Sequence, residues 1–377
     1  MVSPLYGAIP LIFPIAHDFE AAPSTVGLIG FAFGFAYALA CLLFGPLSDV
    51  TGRRRILVAG VFAEGVVGVA LAASPSLQVL IAGRLIQGFA AGTFGPVAIG
   101  YVADAYSGSL RHAGISVLST GLISAGSIGQ IVAQQITAVL GWRAFFISVG
   151  AAELAVGCIL AVLLRESNVD RTSRSMRLTY AAEGGLLKTA PVRSAYLVGF
   201  VIYLGFVLYY LALGPYVSRN LGGSGATLFA MRAIALPGML LTVFAGTLIE
   251  RLGPRHLVAI GLLVEIAGLA LSVLGNVDIT RLTIASAVFS LGFAFAAVSM
   301  NALVTELGGV VRGTAMAFFV FVSFTGASTA PLVQQWLAPS GFGGTIVELA
   351  QASIVAWLFI LVAVPRDASA DQFVTKP

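Results

Sequence analysis

Apolar residues in this 377-residue chain fall into runs of about twenty, one after another from end to end, and short stretches between them hold nearly all the charges. At about 1.5 Å of rise per residue such a run reaches across the ~30 Å hydrocarbon core of a bilayer. Backbone in lipid must satisfy its own polar groups, so each run predicts a membrane-spanning helix. Charged residues make up only 10% of the chain and hydrophobic ones 58%, whereas soluble domains carry about a quarter charged residues. Cutting at charges, prolines and glycine clusters gives twelve expected spans: 1–16, 25–46, 56–73, 77–100, 112–136, 144–164, 194–213, 226–248, 256–274, 281–303, 313–336 and 346–364. The first, sixteen residues long, reaches only about 24 Å and is expected to be short. With no basic segment before it, it does not read as a cleaved signal peptide.

Several function classes drop out at this stage. A net charge of +4, divided among short loops, makes no nucleic-acid footprint. Cys41 and Cys158 lie inside apolar runs without metal-ligand spacing, and read as small core residues. No phosphate-binding loop of the Gly-x-x-x-x-Gly-Lys-Ser/Thr type is present, so ATP-driven transport within this chain has no support. His17, His112 and His256 sit near span ends and read as interfacial residues.

The placement of basic residues gives an orientation. Even-numbered loops, the 165–193 stretch and the C-terminal tail hold fifteen bases, while odd-numbered loops hold three, Arg143, Arg219 and Arg281. The positive-inside rule then puts both termini and the 165–193 linker in the cytoplasm. The expected organisation is a bundle of six helices at 1–164, the linker, a second bundle at 194–364 and a tail at 365–377.

The halves also repeat one another. At an offset of 201, Gly45, Leu47, Gly52, Arg54, Gly60 and Glu64 fall on Gly246, Leu248, Gly253, Arg255, Gly261 and Glu265, and Asp49 falls on Glu250. At an offset of 200, Gly126, Gln134 and Gln135 fall on Gly326, Gln334 and Gln335. Internal repeats of this kind are how many secondary transporters are built.

The segment from Gly45 through Asp49 and Gly52 to Arg53, Arg54 and Arg55 resembles the signature loop of the major facilitator superfamily, between its second and third helices. Arg84-Leu-Ile-Gln-Gly88 is similar to the family's second motif, an arginine within the fourth helix. Ala125–Gln130, followed by Gly141-Trp-Arg143, resembles the fifth-helix region of bacterial drug and sugar efflux members. The resemblance implies an all-α membrane protein of twelve helices in two six-helix bundles, working by alternating access in a bacterial inner membrane. It also implies that Asp49 clamps helix ends through an arginine among 53–55, with Glu250 in the weaker second copy.

In that family, helices one, four, seven and ten line the cavity and two, five, eight and eleven gate it. On those spans the candidates for a substrate or proton pathway are Arg84, Gln87, Gln130, Gln134, Tyr203, Phe206 and Asn301. Amides and aromatic faces suit an amphipathic or aromatic organic molecule better than an inorganic ion. Ionisable groups in hydrocarbon are costly and mark function or structure. Glu153 is expected to partner Arg84, since both lie at similar depth from the same face, whereas the repeat mates Glu64 and Glu265 read as structural acids. Arg232 is near enough to a span end to snorkel, and Asp104 and Glu306 are expected to pair with Arg111 and Arg312.

The expected activity is secondary transport: proton-coupled efflux of a small organic compound or drug by a monomer, with no cofactor, no metal and no enzymatic reaction. Proton-coupled uptake of a small organic solute, and a transport-inactive membrane sensor or truncated pseudo-transporter, stay open as alternatives.

Overall fold

The computed structural model describes residues 3–165, 189–309 and 312–364; the side chains of residues 49–50, 108–109, 111–113, 116 and 312–313 lie outside that description. Among the described residues every regular element is a helix. In the first half these are α1 (Ser3–Asp18), α2 (Pro23–Val26), α3 (Leu28–Thr51), α4 (Arg53–Leu71), α5 (Leu77–Ala91), α6 (Gly95–Ala105), α7 (Gly108–Leu140) and α8 (Trp142–Leu163). In the second they are α9 (Ala190–Asn220), α10 (Gly225–Leu240), α11 (Ala245–Leu252), α12 (Pro254–Val273), α13 (Ile279–Gly308), α14 (Arg312–Leu337) and α15 (Gly341–Ala363).

Nine segments among the described residues are long and apolar enough to cross a membrane. α1 is excluded by its 16 residues, and α4 opens on three consecutive arginines. The last of the nine, Thr314–Ala363, contains both α14 and α15, joined by a short 3-10 turn at Ala338–Ser340. Two expected spans are interrupted helices. α5 and α6 are separated by a turn at 92–94, and α10 and α11 by the 3-10 turn Leu241–Phe244.

The chain divides into two compact units, Met1–Arg174 and Ser175–Pro377. Helix boundaries in each follow local chemistry. Ser76 and Ser224 cap α5 and α10, and Asp278 accepts a 2.7 Å hydrogen bond from the Arg281 amide at the start of α13. Between α3 and α4 the backbone at Gly52 takes φ 102°, and its repeat mate Gly253 takes φ 78° between α11 and α12. A side chain at either position would be strained, which gives a physical reason for these glycines to coincide at the offset of 201.

Small residues let the helices cross closely. A Cβ on Gly88 would lie 2.1 Å from the Phe33 carbonyl oxygen, and one on Gly92 2.8 Å from that of Tyr37, so α5 lies directly on α3. α4 and α8 meet where Gly65 and Gly150 face each other; a Cβ on either would come within 2.9 Å of the other's carbonyl oxygen. In the second unit Gly292 of α13 lies against the Glu265 backbone of α12, 2.2 Å from its nitrogen to an added Cβ. Close backbone approach through glycine is how helices associate in lipid, where burial of apolar surface supplies no drive. Outward-facing Ile86, Val139, Val162 and Trp336 fit contact with lipid.

Candidate functional site

Arg84, on α5, is completely buried. Its Nε donates to the Ile29 carbonyl at 3.2 Å, Nη1 to the Gln87 Oε1 at 2.7 Å and Nη2 to the Pro4 carbonyl at 2.9 Å. The guanidinium lies over the Phe33 ring, 4.2 Å from its centroid. One side chain thus ties α5 to α1 and α3, and its charge is held by carbonyl dipoles, an amide and a π face. The partner expected from depth, Glu153, is not in ion-pair contact with it. Depth matched the two residues, but the planar fork of Arg84 is directed toward the start of α1 and α3.

Glu153 lies instead at the crossing of α8 with α4, the helix that carries Glu64. Glu64 on α4 is fully buried and Glu153 on α8 is 4% exposed. The glycine crossing brings their backbones close, because a Cβ on Gly65, next to Glu64, would lie 3.0 Å from the nitrogen of Leu154, next to Glu153. Gln87 bridges the cluster: its Oε1 holds Arg84, and its Nε2 lies 3.1 Å from where a Cβ on Gly68 would stand. Arg84, Gln87, Glu153 and Glu64 therefore form one buried polar cluster over three helices.

Other candidates fall elsewhere. Gln130 on α7 is buried and donates to the Gly126 carbonyl of its own helix at 2.9 Å, while Gln134 is half-buried one turn on. The small residues of α5 are occupied by α3 and leave no room for a substrate there.

In the second unit, Tyr203 and Phe206 of α9 lie in an aromatic stack. Phe206 is 4.2 Å from Phe293, centroid to centroid, and Tyr203 packs at 5.6 Å on Phe293 and 5.3 Å on Phe324. The stack continues through Phe289, Tyr209 and Tyr210, whose hydroxyls pair with Ser272 and Ser290. Tyr196 is buried too, donating to the Ala315 carbonyl at 2.9 Å. Arg232 does not snorkel; it is buried on α10 with its guanidinium 6.0 Å from the Tyr210 ring. Asn301 is half-buried on α13. Glu265 accepts a hydrogen bond from Ser353 of α15 at 3.2 Å.

The signature loop places its arginines separately. Arg54 donates from Nε to the Leu164 carbonyl at 2.7 Å and from Nη2 to that of Ala161 at 2.6 Å, capping the end of α8. Arg53 pairs with Asp104 of α6 at 2.8 Å and covers Gly100, where any Cβ would collide with it. Arg55 and Glu250 are exposed, Gly45 faces Pro96, and the side chains of Asp49, Arg111 and Arg312 lie outside the described residues, with the pairings expected of them. Asp104 was not legible as the Arg53 partner, since fifty residues separate them in sequence. At the opposite end of α8, Asp18 accepts from Trp142 at 3.2 Å and pairs with Arg143, which lies over the Trp142 ring. The Arg143 guanidinium holds the Asp18 carboxyl below the usual carboxylate range.

A helical membrane chain made of two units, with repeated signature loops and a buried arginine cluster, defines a secondary-transporter architecture. The chain belongs to the Major Facilitator Superfamily, whose family model matches residues 3–193 and 195–376. It is an integral membrane transporter and not an enzyme. It is 26% identical over 296 residues to the MFS-type transporter YybF of Bacillus subtilis, covering 77% of this chain and 72% of that protein. It is 22% identical over 431 residues to the multidrug efflux pump LfrA of Mycolicibacterium smegmatis, covering 93% and 82%. Its fold is similar to that of the nucleoside transporter NupG, with a TM-score of 0.71 at 16% identity over 96% of each chain.

Proposed function

We propose that this protein exports a small organic compound, amphipathic or aromatic in character, using the proton gradient. In this reading twelve helices span a bacterial inner membrane as two six-helix bundles, residues 1–164 and 194–364, with both termini and the 165–193 linker in the cytoplasm. The protein works as a monomer by alternating access.

The buried cluster around Arg84 is the observation that carries the reading. A guanidinium in hydrocarbon costs several kcal/mol by most estimates, and two carboxyls beside it add to that cost. Groups this costly are kept where their protonation or contacts change during the work of the protein. The efflux direction is supported by similarity to a protein named as a multidrug efflux pump. The aromatic stack around Tyr203 and Phe206 supports an organic substrate, since flat apolar faces bind such molecules by area and stacking. Gln130, Gln134 and Asn301 are the amides assigned to orient it.

Everted membrane vesicles test this directly. With an imposed pH gradient, acid inside, a panel of fluorescent cationic, zwitterionic and aromatic compounds is screened for accumulation in vesicles holding the protein and in vesicles without it. Gradient-dependent accumulation of at least one compound, abolished by a protonophore, is expected. Transport indifferent to the pH gradient removes proton coupling, and accumulation only in right-side-out vesicles replaces export with uptake.

A further inference from the structure

Among the described residues, charged side chains well inside the spans are turned inward. Glu64, Arg84, Glu153, Arg232 and Glu265 are all buried. Glu348 of α15 is exposed. The apolar runs start this span at 346 and put Glu348 at its edge, but α15 begins at Gly341. The carboxyl therefore stands about 10 Å along the helix, roughly a third of its length. Among the described residues neither Glu348 nor Gln351, exposed one turn further on, has a hydrogen bond or an ion pair. An ionisable side chain at that depth and turned away from its own protein is costly in lipid, and such residues are found paired.

The two polar residues open a stripe. Glu348, Gln351, Val355, Leu358 and Val362 follow one another at spacings of three, four, three and four, and all five are exposed, the last three at 50%, 47% and 83%. Alternating threes and fours mark the line along which two parallel helices set side chains into each other's gaps. Gly344, four residues before Glu348, prolongs the stripe, and a Cβ there would meet only Ser340 of its own turn. The opposite face of α15 is already occupied. It packs on α9 and α12 with Ile346, Leu349 and Ser353 buried, and Ser353 donates to Glu265. Turning α15 to hide Glu348 would undo that packing.

We infer that the exposed stripe of α15 is the interface between two copies of this chain in the membrane, with Glu348 and Gln351 of each copy bonded to Gln351 and Glu348 of the other. The polar pair selects that occupant. Two copies inserted the same way round meet with their α15 helices parallel and equal heights opposed, and a two-fold contact must be complementary to itself. The stripe meets this condition, since a carboxyl that accepts and an amide that donates stand one turn apart on it. In such a seam the gap entered by Glu348 is bordered by Gln351 of the other copy, which gives two equivalent bonds and sets an amide beside each carboxyl. A helix of another protein would need its own donor opposite Glu348, and Gln351 would then have no role. Below the pair, Val355, Leu358 and Val362 supply the close apolar fit on which helix association in lipid depends. Each copy keeps its own pathway, so the single chain stays the working unit, and the inference needs neither the proton nor the substrate assigned above.

The full chain, carrying one fluorophore and reconstituted in lipid vesicles at falling protein density, tests this by counting copies per vesicle through stepwise photobleaching. The parent should pass from pairs to single copies as density falls. Replacing both polar residues, Glu348→Leu with Gln351→Leu, should raise the density at which half the chains are paired at least tenfold. Glu348→Gln should keep the pairs, because an amide both donates and accepts. Both positions are exposed, so leucine there leaves the packing of the unit itself intact. Oxidative crosslinking in native membranes, with Cys41 and Cys158 replaced by alanine, needs neither variant. Val355→Cys and Leu358→Cys should each give a band of two chains, whereas Val156→Cys, exposed on α8 at a similar distance from its helix end, should not. Single copies at every density, or crosslinking no faster at residue 355 than at 156, overturns the inference. Pairs indifferent to the double leucine variant overturn it as well, by removing Glu348 and Gln351 from the contact. Single copies in vesicles together with a crosslink from residue 355 to a different protein in native membranes would replace the second copy with another occupant.

Discussion

The Arg54 guanidinium holds the Ala161 carbonyl at 2.6 Å, and the same bond recurs 200 residues later, where Arg255 holds the carbonyl of Leu361 at 2.7 Å. In each unit the second contact goes from Nε to another carbonyl at the end of the same helix, Leu164 in one and Ile360 in the other. The last carbonyls of α8 and α15 have no helical partners of their own, and a cation there also meets the negative end of the helix dipole. The repeated arginine of the signature loop is thus a cap for a helix about a hundred residues away.

Removing that cap should therefore cost stability before it costs anything else. Hydrogen bonds to a charged group contribute about 1.5–3 kcal/mol each, less where partly solvated, so Arg54→Ala should destabilise the first unit by roughly 2–3 kcal/mol. Arg54→Lys, a point charge without the fork, should recover less than half of it. Thermal unfolding in detergent checks this, with Arg255→Ala expected to behave alike in the second unit. No change in unfolding temperature for either alanine variant would rule out the capping role.

The clamp at the opposite end of α8 predicts a pH dependence. Asp18 is held below the usual carboxylate range, chiefly by its hydrogen bond from Arg143. A depressed folded-state value means that the contribution is fully present above the unfolded value and is lost as pH falls through the folded one. Asp18→Asn should consequently lower the unfolding temperature slightly at neutral pH, and the gap to the parent should close as the solution is acidified below about pH 4, the ordinary carboxylate value. A gap that widens in acid would contradict the assignment. The effect is small because Asp18 and Arg143 are both well exposed.

Much of this was legible in the sequence and some of it was not, for identifiable reasons. Helix locations followed from apolar runs, because lipid leaves the backbone no other solution. Arg84 was found by its cost in hydrocarbon, and its neighbour Gln87 by helical spacing. The crossing that brings α8, with Glu153, onto α4, with Glu64, was hidden, since which residues of two helices meet depends on where glycines let them cross, and Gly65 and Gly150 carry no mark of pairing. The turn at 92–94 and the 3-10 turn Leu241–Phe244 lie inside runs that stay apolar throughout, so composition gives no sign of them. Tyr203 and Phe206 share a face by spacing, but which neighbours that face meets, Phe293 and Phe324 in this structure, cannot be read from a run of aromatic residues.

Orientation can be settled with single cysteines in a background where Cys41 and Cys158 are replaced by alanine. The charge count places residue 76 outside and residue 173 in the cytoplasm. A membrane-impermeant thiol reagent applied to intact cells should label Ser76→Cys and spare Ser173→Cys until the cells are opened. The reverse pattern would invert the topology and, with it, the sides assigned to the Arg53–Asp104 pair and the Asp18 clamp.

Arg84 itself permits a sharper test than removal of its charge. Its three bonds run in three directions, to the Ile29 carbonyl, the Pro4 carbonyl and Gln87, and its plane rests on Phe33. A lysine keeps the charge but presents a compact ammonium that cannot lie flat on the ring or reach all three acceptors. If only the positive charge mattered, Arg84→Lys would transport normally. Since the fork also ties α5 to α1 and α3, Arg84→Lys should instead lower the rate of transport at least tenfold. Arg84→Leu, with charge and fork both gone, should transport no better than the lysine variant. Normal transport by the lysine variant would show that charge alone suffices and would overturn the tethering role of the fork.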